Sequence, residues 1–156
     1  YDIDWWTAKR HKINEGRKRS EFPQGHVEHS ACLWGRGLLV PIKIIKDTGN
    51  YDKRYQQSGD PEFSRRAAKG GYDLLVAYDV VTYMYPEEDN PNFNFRTEYA
   101  LSDFKKRFFG VLSSSRIKTL FMNSMSMTES TFQGYIFFCC HLTRHAWSFF
   151  RNVRRL

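Results

Sequence analysis

The most regular apolar spacing in this chain lies near its C-terminal end. Phe132, Tyr135, Ile136, Cys139, Leu142, Ala146, Trp147, Phe149, Phe150 and Val153 recur at three- and four-residue intervals. That is the period of a helix with one apolar stripe. At about 100° per residue, the opposite arc collects Gln133, His141, Arg144, His145, Ser148, Arg151, Asn152 and Arg155, with Phe137 among them. Ser126 and Glu129 have the spacing of a capping box, which predicts the helix start there. The expectation is a docking helix: Phe132, Tyr135, Ile136, Leu142, Trp147 and Phe150 form the contact stripe, and the basic side faces outward. The uninterrupted apolar run covers only Tyr135 to Cys140, and His141, Arg144 and His145 then break it. A membrane span needs roughly 20 mostly apolar residues, so an amphipathic packing helix is favoured and interfacial membrane binding stays open.

Upstream, the pattern weakens. Asp4 is placed to cap a short helix carrying Trp5, Trp6 and Ile13, with Gly16 as its stop. Phe22 to Ser30 reads as loop. Leu38, Leu39, Val40, Ile42, Ile44 and Ile45 are strand formers around Pro41, which predicts an extended or edge-strand segment over residues 38–46. Asp60-Pro61-Glu62 is a helix start, closed by Gly70-Gly71. Leu74, Leu75, Tyr78, Val81 and Tyr85 fit helical spacing better than alternation. Thr97 would cap a further helix carrying Tyr99, Leu101, Phe104, Phe108, Val111 and Leu112, and Ile117 to Met127 continues after the serines at 113 to 115. The fold expected is mainly α: several amphipathic helices in one domain over 1–156, with residues 1–59 a long irregular arm and 60–156 the helical part.

Charge adds a direction. The formal net charge is +7. From residue 101 onward there are nine Lys and Arg but two Asp and Glu, whereas residues 1–100 hold fifteen of each. The whole excess therefore lies in the C-terminal third and points to an anionic partner. The candidate contacts are Lys105, Lys106, Arg107, Arg116, Lys118, Arg144, Arg151, Arg154 and Arg155. A solvated basic face is the simpler account of the same residues. Glu87, Glu88 and Asp89 read as a solvated acidic loop. Aromatic residues make up 17% of the chain, a proportion that suits burial against another molecule.

Three cysteines do not make a secreted disulfide framework. His26-x-x-His29-x-x-Cys32, together with Cys139, Cys140, His141 and His145, has the short spacings that zinc ligands use, but matches no finger or ribbon pattern. Buried thiols and surface histidines are the favoured account of them. His141 and His145 lie four apart on one helix face, where haem ligation is the other chemistry they would suit. No cofactor is predicted. The run Arg144-His145-Ala146-Trp147 is similar to a short stretch in the membrane-anchor subunits of succinate dehydrogenase, over these few residues alone, and identifies no family. No nucleophile elbow, phosphate loop or dinucleotide fingerprint occurs, so no catalytic residue is assigned.

The chain begins at Tyr1 and not Met, as expected of a processed mature protein or a trimmed piece. With the aromatic excess and the basic C-terminal third, this leads to an expectation of a non-catalytic accessory subunit of a larger assembly. A mitochondrial inner-membrane respiratory complex is the leading setting, with other protein subunits and an anionic, cardiolipin-like lipid as partners. An RNA-binding, ribosome-associated subunit is the alternative.

Overall fold

The computed structural model describes residues 2–35, 37–55, 59–81, 99–111 and 113–153. Helices dominate, alongside two small antiparallel sheets. Contacts divide the chain into two compact units, one comprising Tyr1–Asp4, Lys9–Asp52 and Gly59–Pro86, the other Trp5–Ala8, Lys53–Ser58 and Glu87–Leu156.

The first unit holds both sheets. β1 (Asp2–Asp4) pairs with β2 (Lys9–His11), with Ile3 opposite Arg10. The helix expected from Asp4 to Gly16 is therefore replaced by strand pairing. Ala8 and Asn14 both take positive φ, at 55° and 58°, which a continuing helix cannot accommodate. β3 (Val27–His29) pairs with β4 (Leu75–Ala77), with Glu28 opposite Val76. Leu75 and Val76 thus belong to a strand and not to the helix expected there; a β-branched residue beside a pairing partner overrides the helical spacing.

The extended segment expected over 38–46 is also corrected. Leu38 to Pro41 has no regular structure, and α1 (Ile42–Thr48) begins directly after the proline. Pro41 supplies the N-cap, and its carbonyl accepts from Ile44 N at 2.9 Å. Lys43 and Asp47 pair one turn apart, and Thr48 Oγ1 donates to Ile44 O at 2.7 Å. These local contacts outweigh the strand preference of the isoleucines. α2 (Gly59–Lys69) follows the expected boundaries closely and buries Phe63 and Ala67. Arg66 of α2 donates to the carbonyls of Thr48, Gly49 and Asn50 while Glu62 holds its guanidinium, with Nε to Oε1 at 3.0 Å. One side chain so satisfies the open carbonyls at the end of α1.

The second unit contains α3 (Asp103–Phe109), α4 (Ile117–Met127) and α5 (Thr131–Arg151). Thr97 and Leu112 lie outside the described residues; α3 itself runs only from Asp103, whose carboxylate accepts from Ala100 N at 3.0 Å. α4 and α5 form a hairpin closed by Thr128–Ser130. The α5 start differs from the expected capping box, because Ser126 is still inside α4. Ser130 is the cap: its hydroxyl accepts from Gln133 N at 3.2 Å, and Gln133 Oε1 accepts from Glu129 N at 2.9 Å. The core gathers Tyr99, Phe108 and Phe149, with Ile117, Leu142, Ala146 and Val153 packed around them. Phe149 meets Phe108 edge-on at 5.8 Å and Tyr99 at 5.4 Å, separations at which aromatic pairs attract.

Candidate functional site

α5 positions most of the residues to which the sequence points, but its N-terminal half buries the face expected to be outward. The buried side chains are Gln133, Phe137, His141 and Phe149, with Gly134 among them: in the N-terminal half of α5 the arc expected to face outward is turned inward, while Phe149, Leu142, Ala146 and Val153 of the expected stripe pack on the core and Arg144, Arg151 and Asn152 face outward as expected. The physical reason lies in α4. Its inward positions are Thr119, Leu120, Asn123, Ser124 and Met127. Ser124 Oγ donates to Leu120 O, and Thr128 Oγ1 donates to Ser124 O, each at 2.7 Å. These hydroxyls satisfy themselves on the preceding turn, so burying them carries no unmet hydrogen bond. This surface of small hydroxyl residues receives Gly134 closely: a Cβ there would lie 3.0 Å from both Met125 Sδ and Thr128 Oγ1.

Within this inward face a polar chain forms. Buried Ser115, just before α4, has its Oγ 2.8 Å from His145 Nδ1. His145 Nε2 lies 3.2 Å from His141 Nε2, one helical turn away. Phe137 stands edge-on to His141 at 5.6 Å, and Trp5 stacks on Phe137 at 5.8 Å. Arg144 donates to the Ala8 carbonyl and, at 2.8 Å, to that of Thr7. The sequence assigned no role to Ser115, because nothing in its local pattern connects it to a histidine thirty positions later.

The outward face is aromatic. Phe132 and Trp147 are each 69% exposed, Phe150 57% and Tyr135 52%, whereas Ile136 and Leu142 are half-buried. Among the described residues, no helix is long and apolar enough to cross a membrane.

The cations divide three ways. Lys105, Lys106 and Arg151 are exposed. Arg107, expected as a contact, is instead buried, with its guanidinium 4.4 Å over the Tyr99 ring; its aliphatic stem joins the core. Arg116 and Lys118 border a cleft of about 420 Å³ with Phe108, Phe109, Ile117, Phe121 and Phe138. Arg154 and Arg155 lie outside the described residues, as does the acidic loop at Glu87 to Asp89.

The His and Cys residues do not gather as the spacing suggested. His26 Nε2 is 3.1 Å from Glu28 Oε1, and His29 stands 3.6 Å from Asp73. Cys32 is buried, and that burial pushes its thiol up, away from thiolate chemistry. Cys139 is exposed and Cys140 intermediate. Among the described residues, no group of three or more His, Cys, Asp or Glu is placed to hold a metal ion.

The first unit contains a cluster that the sequence does not announce. Glu28 also accepts from Asn14 Nδ2 at 2.7 Å and from the Tyr78 hydroxyl at 3.2 Å. Hydrogen bonds from His26, Asn14 and Tyr78 hold its carboxyl below the usual range. Phe22 stacks on His26 at 5.0 Å and lies 4.4 Å from Tyr78. The β3–β4 register brings residues fifty positions apart together here.

No family model matches this sequence, and neither a curated protein nor a solved structure is found to be similar to it.

Proposed function

We propose that this chain is a non-catalytic accessory subunit that docks on another protein through the outer face of α5. The observation that supports this is the exposure of its aromatic rings. Phe132, Tyr135, Trp147 and Phe150 are each more than half exposed on one helix. Scattered exposed apolar residues are ordinary, but two pairs of large rings, Phe132 with Tyr135 and Trp147 with Phe150, at the two ends of one helix side have the composition of interface anchors. Trp and Tyr supply much contact area for little lost conformational freedom. A Phe132→Ser/Trp147→Ser variant of the full chain is the test. It should melt at the wild-type temperature and lose the subunit that co-purifies with the native protein. Undiminished retention of that subunit by the variant rules the docking face out.

A mitochondrial inner-membrane respiratory assembly, with a cardiolipin-like lipid near the basic residues, is the narrower form of this proposal. It rests on the aromatic content and the charge asymmetry of the sequence. Vesicles containing anionic lipid should bind the chain, and neutral vesicles should not.

The cleft beside α4 favours a second reading, RNA binding. Arg116 and Lys118 stand beside Phe109 and Phe121, both partly exposed, which combines phosphate-seeking charge with rings on which bases stack. Single-stranded RNA should then bind with an affinity that falls steeply with salt, and Arg116→Ala/Lys118→Ala should weaken it. Salt-independent binding would exclude this reading.

A further inference from the structure

Beside the docking face, His141 and His145 hold their Nε2 atoms together in a hydrogen bond in the wall of the α4–α5 hairpin. We propose that they form a two-histidine clamp for a divalent late first-row transition-metal ion, zinc or copper, with Ser115 as the positioning residue behind it.

Three observations support this. The first is the chord. An ion bound at about 2.0–2.1 Å by two imidazole nitrogens in tetrahedral arrangement holds them about 3.3 Å apart. The two Nε2 atoms are 3.2 Å apart in an imidazole–imidazole hydrogen bond, which a bound ion replaces without moving either ring far. The second is the frame. Histidines four apart on one helix share a face, as in helical zinc motifs, and α5 extends well beyond them on both sides. The third is the outer partner. A ligating imidazole is usually fixed by a hydrogen bond from its other ring N–H, which sets tautomer and orientation. Ser115 Oγ is 2.8 Å from His145 Nδ1 and accepts that N–H when Nε2 presents its lone pair to an ion. Ser115 is itself buried, so its hydroxyl is held and not exchanged with bulk water.

The chemistry of the donors selects the ion. Imidazole suits zinc, copper and nickel, whereas magnesium and calcium require oxygen donors. His145 is only half-buried, so an ion reaches the pair from solvent. Arg144, the adjacent cation in sequence, is engaged with the carbonyls of Thr7 and Ala8. With two protein ligands, the remaining coordination positions belong to water or to an exogenous donor.

Copper(II) added to the full chain is the direct probe. Its electron paramagnetic resonance spectrum should show one equivalent of ion with splitting from two imidazole nitrogens. Zinc(II) should compete for the same equivalent and raise the melting temperature. His145→Gln, which keeps an amide at this half-buried position, should lower the affinity for either ion at least tenfold. Ser115→Ala should lower it roughly tenfold, the size of effect typical of a lost outer partner. Cys139→Ser/Cys140→Ser should leave it unchanged. The proposal is overturned if the unaltered chain takes up no stoichiometric ion, or if the copper spectrum lacks the two-nitrogen pattern. It is equally overturned if uptake survives His145→Gln or disappears with the cysteines. The spectrum of the unaltered chain decides independently of how any variant folds.

Discussion

Phe149 and Phe150 are adjacent and chemically identical, yet they belong to opposite sides of α5. Phe149 is 0% exposed, packed between Tyr99 and Phe108, whereas Phe150 is 57% exposed. The inner side of α5 also carries Gln133, Gly134 and His141, which look like surface residues; the outer side carries Phe132, Tyr135 and Trp147, which look like core. The difference teaches that a helix with aromatics nearly all round does not choose its buried stripe alone. The neighbour chooses it. α4 offers hydroxyls already bonded to their own backbone, and that surface accepts a glycine, an amide and a histidine pair more closely than a row of tryptophan and phenylalanine.

The largest test of this comparison is the phenylalanine pair. Phe149→Ala should cost about 3–5 kcal/mol in a denaturant melt, because it empties a position with no exposed surface. Phe150→Ala should cost about 1 kcal/mol or less, since more than half of its surface faces solvent and its ring contacts are a tilted one with Phe104 at 6.3 Å and an edge-on one with Phe149 at 5.4 Å. Equal losses at the two positions would break the assignment of faces. Gly134→Ala comes next. In an exposed helix this change gains about 1 kcal/mol. Here the added methyl meets Met125 Sδ and a Thr128 Oγ1 tethered to Ser124 O, so overpacking should turn the gain into a net loss of about 1–2 kcal/mol. A stabilised variant, read by thermal unfolding, would mean that the helices stand further apart than they do in this structure. Ser130→Ala follows, at about 1 kcal/mol, because it removes the acceptor for Gln133 N at the start of α5. Ser126→Ala is its control. The hydroxyl of Ser126 lies inside α4, so loss of helicity from α5 should appear in circular dichroism with the first variant and not the second. The smallest effect belongs to Trp147→Ser, which should change the melting temperature little because the ring is 69% exposed. A drop as large as that of Phe149→Ala would remove the case for an outer docking row.

The α2 helix shows the opposite balance between sequence and structure. Asp60-Pro61-Glu62 and Gly70-Gly71 mark its ends, and the observed helix, Gly59–Lys69, departs from them by a residue. Those signals are local: a proline fixes its own φ, and Gly71 turns at a φ of 87°. Residues 38–46 show the same reason in reverse. Their side chains favour strands, but a strand needs a partner, and none pairs with them among the described residues; Pro41 instead starts α1. The tryptophan-bearing segment after Asp4 has helical spacing, but pairing of Asp2–Asp4 with Lys9–His11 decides its structure. In the candidate site, His141 and His145 were legible as a pair because four-residue spacing on a helix is a local fact. Ser115 was not, because only the return of α5 past α4 brings it to His145.

By itself, then, the sequence determined the near-limits of α2 and α4, the existence of α5 though not its start, the spacing of His141 and His145, and the concentration of positive charge after residue 101. Each follows from rules that act within a few residues: capping, proline and glycine geometry, helical period. Tertiary structure alone decided which face of α5 is buried, that Arg107 joins the core and not the surface, and that Glu28 collects His26, Asn14 and Tyr78. Burial and pairing are properties of two surfaces that meet, and half of each such decision is written in a segment far away along the chain.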